Sequence, residues 1–142
     1  METNQVGDIS EQAVILKSLE YGWGVCRPIG NRLPYDLIID ISGKLVRSQV
    51  KSAWFDKQSQ NYLVDNRRTK TNRREMVRDR YDESDFEFAI IYLSDLRVFY
   101  VFPVAEFLEY GSTVTIVESD KRQRKPRSAK FRENWQLLET VS

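Results

Sequence analysis

Two apolar segments meet at Ser42-Gly43, with "YDLIIDI" before the pair and "KLVRSQVKSAW" after it. Both are rich in β-branched residues, and the small pair between them suits a two-residue reversal, so the pattern predicts antiparallel strands over 35–41 and 44–54. Such a turn fixes the pairing. Ile41 falls opposite Lys44 and Asp36 opposite Gln49. Side chains alternate along a strand, so Asp36 and Ile38 share a face with Arg47, Gln49 and Lys51. Leu37, Ile39, Ile41, Val46 and Val50 take the other face. A slip of one residue would reverse every assignment, which makes this hairpin the strongest constraint on the fold.

The remaining elements follow from simpler signals. Residues 8–21 read as a helix, with Asp8 as N-cap, Glu11 as its capping-box partner, and Ile9, Ala13, Leu16 and Leu19 recurring at helical spacing. Gly22 and Gly24 end it, and "WGVCRPI" reads as a short strand. Residues 56–66 give no clear element, and 67–80 reads as part loop, part helix. "FEFAIIYL" and "RVFYVFP" predict a second, buried hairpin, followed by a short helix over 104–110, a strand in "STVTIVES" and a terminal amphipathic helix in "ENWQLLETV". Trp23, Trp54 and Trp135 all fall within these elements and read as core, which argues against an RNA-stacking platform. The order predicts one α/β domain over 1–142, a mixed central sheet flanked by helices.

The chain contains no histidine. That excludes Ser-His-Asp hydrolases, His-ligated zinc and any hydrolase with a histidine base, leaving carboxylates, lysine and a metal ion to carry hydrolytic chemistry. The lone Cys26 suits a reducing cytoplasm. "METNQVGDIS" lacks the features of a signal peptide, and the longest apolar run, eight residues, is too short for a membrane span, which needs roughly 20.

A net charge of +1 conceals an uneven distribution. Residues 67–80 hold seven basic groups (Arg67, Arg68, Lys70, Arg73, Arg74, Arg78 and Arg80) against two acids, and 121–132 hold seven and no acid, among them Lys121, Arg122, Arg124, Lys125, Arg127 and Lys130. The other 116 residues balance to −11. Two cationic segments on an acidic body point to a polyanion held at a defined surface.

The polar face of the first hairpin suits phosphodiester hydrolysis. Mg²⁺ takes hard oxygen ligands, and Asp36, the amide oxygen of Gln49 and the Val50 carbonyl supply three. Lys51 would orient a water and balance charge building on the phosphate. Asp40 reads as a solvated strand residue, paired with Arg47.

Pro34-Tyr35-Asp36 followed by Gln49-Val50-Lys51 resembles the PD-(D/E)xK nuclease motif, with Tyr35 inserted and Gln49 in place of the second acid. The opening helix with Glu11, "GWGVCRPIGNRLPYDLIID" and "LVRSQVKSAW" together resemble the cyanobacterial group I intron-encoded homing endonucleases of that superfamily. The resemblance implies a Mg²⁺-dependent endonuclease (Mn²⁺ or Ca²⁺ substituting for binding) that makes double-strand breaks at a long target in a tRNA gene. It also implies a homo-oligomer, a dimer of dimers, for which "VFYVFPVAEFLEY" and the terminal helix are the expected contacts. Related nucleases take an acid from the first helix, which makes Glu11 the expected source of the charge that Gln49 lacks. A decayed site and coincidence remain the other readings of Gln49. Holliday junction resolvases, restriction-type nucleases and an inactive DNA-binding module share enough of the pattern to stand as rivals.

Overall fold

The computed structural model describes residues 2–71, 76–119 and 125–141, with the backbone alone for 68–71 and 76–79. Its centre is a five-stranded mixed sheet in the order β1 (Gly24–Cys26), β2 (Leu37–Ile41), β3 (Lys44–Ser52), β8 (Phe88–Leu93), β9 (Val98–Pro103). Strand β3 runs antiparallel to β2 and parallel to β8. The connection between them carries β4 (Trp54–Asp56), β5 (Asn61–Asp65), β6 (Arg67–Thr71) and β7 (Met76–Arg80). Strand β8 is flanked on both sides and buried at all six positions, as expected of a strand covered on both faces.

The β2–β3 register matches the expectation from the turn, with Ile41 opposite Lys44 and Leu37 opposite Ser48. Ser42 (φ +54°) and Gly43 (φ +93°) both adopt left-handed backbone, as a type I′ turn requires. The Gly43 amide donates to Oδ1 of Asp40 at 2.8 Å. Asp40 therefore closes the turn and does not pair with Arg47, whose guanidinium forks onto Glu87 (Nε to Oε2 2.9 Å) while its amide donates to Oε1 of the same carboxylate at 2.8 Å.

Helix α1 (Thr3–Glu20) covers one face of the sheet and begins five residues before the expected start. Asp8 thus lies inside the helix, and the capping box with Glu11 is overturned. The buried stripe differs too: Ser10, Val14 and Ser18 face the sheet, while Ile9, Leu16 and Leu19 are 37%, 61% and 55% exposed. Small residues let the helix lie close on β3, where Ser10 Oγ and Ser52 Oγ stand 2.7 Å apart. Val14 joins Leu37, Ile39, Val46, Ile90, Val101 and Trp135 in the core on this face. Each large apolar side chain so buried contributes roughly 1.5–3 kcal/mol.

The opposite face carries a second core, in which Ile91, Leu93 and Phe102 meet Phe107 of the short helix α2 (Val104–Glu109). Tyr62, Val64, Val114 and Ile116 of a three-stranded sheet, β10 (Thr113–Ile116), β5, β4, complete it. Several expectations give way here. Residues 56–66 contain β5, and within 67–80 the segments Arg67–Thr71 and Met76–Arg80 pair as antiparallel strands β6 and β7, with Arg67 opposite Arg80. Cross-strand pairing outweighs the weak propensities of those polar stretches. Trp54, on edge strand β4, is 49% exposed, whereas Trp23 and Trp135 are buried. The C-terminal segment is a 3₁₀ helix (Trp135–Thr140). Its Trp135 and Leu138, like most of β9, are buried within the protomer, whereas α2 and the Gln136 and Glu139 positions of the terminal segment lie at the surface.

Candidate active site

The site grows from the start of β2. Backbone pairing continues one residue beyond the strand, the Asp36 amide donating to the Ser48 carbonyl at 3.0 Å, which delivers the Asp36 side chain to Gln49 and Val50. Oδ2 of Asp36 accepts from the Gln49 Nε2 amide at 2.9 Å and from the Val50 backbone N–H at 2.8 Å. The parallel register sets Gln49 beside Ala89 and Lys51 beside Ile91, so both polar residues stand next to a buried apolar strand.

Burial pushes the Asp36 carboxyl up from 3.8 to about 6. The Val50 N–H pulls the other way, the Glu11 charge raises it further, and the Lys51 ammonium lowers it. Asp36 is thus electrostatically coupled to both residues. Glu11 reaches the site from α1, with a side chain 28% exposed whose Oε1 lies 3.0 Å from Nε of Arg27. Arg27, Tyr35, Asp36 and Glu11 line one open cleft of about 600 Å³ with Asp8 and Pro28. Lys51 points its ammonium at the Arg67 carbonyl, 3.2 Å away, and over the Tyr81 ring, 5.1 Å from its centroid.

Asp36 is therefore the residue to which the others relate: Gln49 and Val50 bond it, Glu11 lines the same cleft, and the charges of Glu11 and Lys51 both act on it. Among the described residues, no group of three or more His, Cys, Asp and Glu side chains converges, so a metal here would draw on a mixed donor set. Two acids, an amide and a main-chain carbonyl are all hard oxygen donors and fit Mg²⁺ or a similar ion. The Glu11 charge disfavours ionisation of the half-buried Asp36, which a cation would relieve.

The basic residues divide. Arg67 bonds Asp65 (Nε to Oδ1 3.2 Å), Arg80 Nη2 donates to the Leu108 carbonyl at 3.4 Å, and both stand at the root of the β6–β7 hairpin. Arg68, Lys70 and Arg78 lie on its strands. Arg127 pairs with Glu109 at 3.2 Å and lies over Tyr110, and Lys130 lies over Phe131. Lys125 is exposed. Arg73, Arg74, Lys121, Arg122 and Arg124 fall outside the described residues.

Sequence reasoning missed Arg27 and Tyr81. Neither sits at a motif spacing: Arg27 follows the three-residue β1, and Tyr81 follows a hairpin whose strands the composition does not announce.

A mixed sheet whose β2–β3 hairpin carries an acid, an amide and a lysine, with a helix-borne glutamate lining the cleft beside the acid, is the arrangement of a PD-(D/E)xK nuclease. The PD-(D/E)XK endonuclease family matches residues 1–138, and the chain belongs to that family. Among solved structures it is similar to the bacterial homing endonuclease I-Ssp6803I, at 53% identity and a TM-score of 0.89 over 97% of this chain and 93% of that one. No curated protein matches. Among the described residues, no helix is long and apolar enough to cross a membrane.

Proposed function

We propose that the chain is a Mg²⁺-dependent, site-specific DNA endonuclease of the intron-homing type, acting in the cytoplasm. The observation that carries this reading is the convergence on Asp36: Gln49 and Val50 by hydrogen bond, Glu11 and Lys51 through charge. The similarity to a homing endonuclease supports the choice of reaction.

Glu11, Asp36, the Gln49 amide oxygen and the Val50 carbonyl would hold the divalent ion. When bound, it supplies an acidified water and electrostatic stabilisation of the phosphate. Lys51 holds the nucleophilic water in line and offsets negative charge on the phosphoryl oxygens as they gain it. Gln49 and the Val50 N–H orient Asp36, so that its carboxylate needs no reorganisation during the reaction. The two basic segments bind the duplex through its phosphates, independently of the chemical step. One such site cuts one strand, so a double-strand break calls for at least two protomers related by symmetry; we assign a homo-oligomer, with a dimer of dimers the state that the resemblance implies. The target is a site in a tRNA gene.

The test is incubation of the protein with plasmid DNA carrying such a gene. Mg²⁺ should yield one linear product, EDTA none, and Ca²⁺ binding without cleavage. Lys51→Ala should bind within a few-fold of wild type and not cut. A Lys51→Ala protein that cuts at the wild-type rate overturns the assignment, as does degradation without sequence preference.

A further inference from the structure

Lys51 ends a side chain with four rotatable bonds, and such a group acts on a transition state only if something fixes its ammonium. The contacts that do so come from the root of the basic hairpin. The Arg67 carbonyl accepts from Nζ at 3.2 Å, and the Tyr81 ring presents its face to the same nitrogen, 5.1 Å from the centroid. Both have packing or hydrogen-bond support of their own. Arg67 is paired with Arg80 across the hairpin, and its amide donates to Oδ1 of Asp65 at 3.0 Å. Tyr81, next in the chain after Arg80, is 7% exposed and packs edge-on against the fully buried Phe86, with ring centroids 5.1 Å apart.

From this geometry we infer that Tyr81 is a positioning residue: its ring, with the Arg67 carbonyl, holds the Lys51 ammonium, so the root of the DNA-binding hairpin forms one wall of the catalytic centre. The inference rests on the role of Lys51 proposed above. A cation over an aromatic face is attracted by the negative π surface. The contact holds the ammonium without neutralising it, as a carboxylate in the same place would.

Fluorination tests this without altering the packing, because each ring fluorine drains the π face at nearly constant shape. Tyr81→Phe and a series with mono-, di- and trifluorophenylalanine at position 81 are compared with wild type and Lys51→Ala in single-turnover cleavage with Mg²⁺. Tyr81→Phe should stay within about twofold of wild type. The fluorinated series should lose rate stepwise, by roughly 3- to 30-fold at three fluorines. KM, DNA affinity and melting temperature should hold throughout. A flat series beside an inactive Lys51→Ala overturns the positioning role and leaves the nuclease reading standing. Losses that track melting temperature or affinity make Tyr81 structural and overturn it too. A Lys51→Ala protein that cuts normally overturns the proposed function, and this inference with it.

Discussion

The side-chain amide of Gln49 donates to Oδ2 of Asp36 at 2.9 Å, in a place where a second carboxylate would face the first. Asp36 already titrates near 6 through burial, with Glu11 adding to the rise. At about 4 Å and an effective dielectric of 20, one more like charge would cost on the order of 4 kcal/mol of direct repulsion. A carboxamide removes that repulsion, donates to Asp36 and keeps an oxygen for a metal. Gln49 fits a site in which the second acid comes from the helix and not from the strand.

Gln49→Glu reverses this arrangement. In EDTA at pH 8 the variant should lose about 1–3 kcal/mol of stability, part of the direct repulsion being escaped by protonation. Divalent ions should restore more stability to it than they add to wild type. Denaturant titrations with and without Ca²⁺ measure both quantities. Unchanged stability in EDTA would mean that the 49 side chain does not face Asp36.

Asp36 carries its own pH signature. The folded chain holds this proton to about pH 6, and the unfolded chain releases it near 3.8. Stability therefore declines as pH rises between those values, and above about 6 the full cost of the buried charge is present. That cost is at most roughly 3 kcal/mol at 1.36 kcal/mol per unit. Asp36→Asn keeps an acceptor for the Val50 N–H and has no charge to bury. In EDTA it should be more stable than wild type by about 1–2 kcal/mol at pH 8 and equal to it at pH 4, with no cleavage at any pH. Lower stability at pH 8 would contradict the sign.

The parts of this fold that the sequence discloses are those set by local geometry. A two-residue turn and strict alternation determine the β2–β3 register, and with it the meeting of Asp36 and Gln49. The α1 face is not legible in the same way, because helical periodicity assumes that the largest apolar residues point inward, whereas close packing on β3 selects Ser10, Val14 and Ser18. The β6–β7 pair is hidden for a related reason: the five cations on its strands carry no apolar alternation, and only cross-strand pairing defines it. Arg27 and Tyr81 reach the site through tertiary contacts that no spacing encodes.

The basic hairpin makes a quantitative prediction. Each phosphate contact contributes about 0.9 to the log–log salt slope of duplex binding. Changing Arg68, Lys70 and Arg78 together to glutamine should flatten that slope by roughly 2 to 3 if all three touch phosphates. An unchanged slope would assign these strands to solvent.

Glu11 is the residue on which the answer to Gln49 turns. With α1 running from Thr3, a capping role with Asp8 is gone, and two roles remain. Glu11 is either only the ion-pair partner of Arg27, 3.0 Å away, or the acid that completes the oxygen set around Asp36. The pair is half exposed, and such pairs contribute about 0–1 kcal/mol, so Glu11→Gln should barely change stability under either role. Cleavage separates them. If Glu11 supplies charge to a metal, Glu11→Gln binds DNA normally yet does not cut with Mg²⁺, and its Ca²⁺ affinity by calorimetry falls by at least tenfold. Arg27→Ala serves as the complement: it breaks the same ion pair but leaves the carboxylate, so it should still cut, and with Arg27 no longer competing for Glu11 it should bind Ca²⁺ at least as tightly as wild type. The double change Glu11→Gln with Gln49→Glu moves the charge from helix to strand and should recover part of the activity if total charge is what matters. Full cleavage by Glu11→Gln alone, with Ca²⁺ affinity intact, would reduce Glu11 to a surface ion pair and leave the second acid to be found elsewhere.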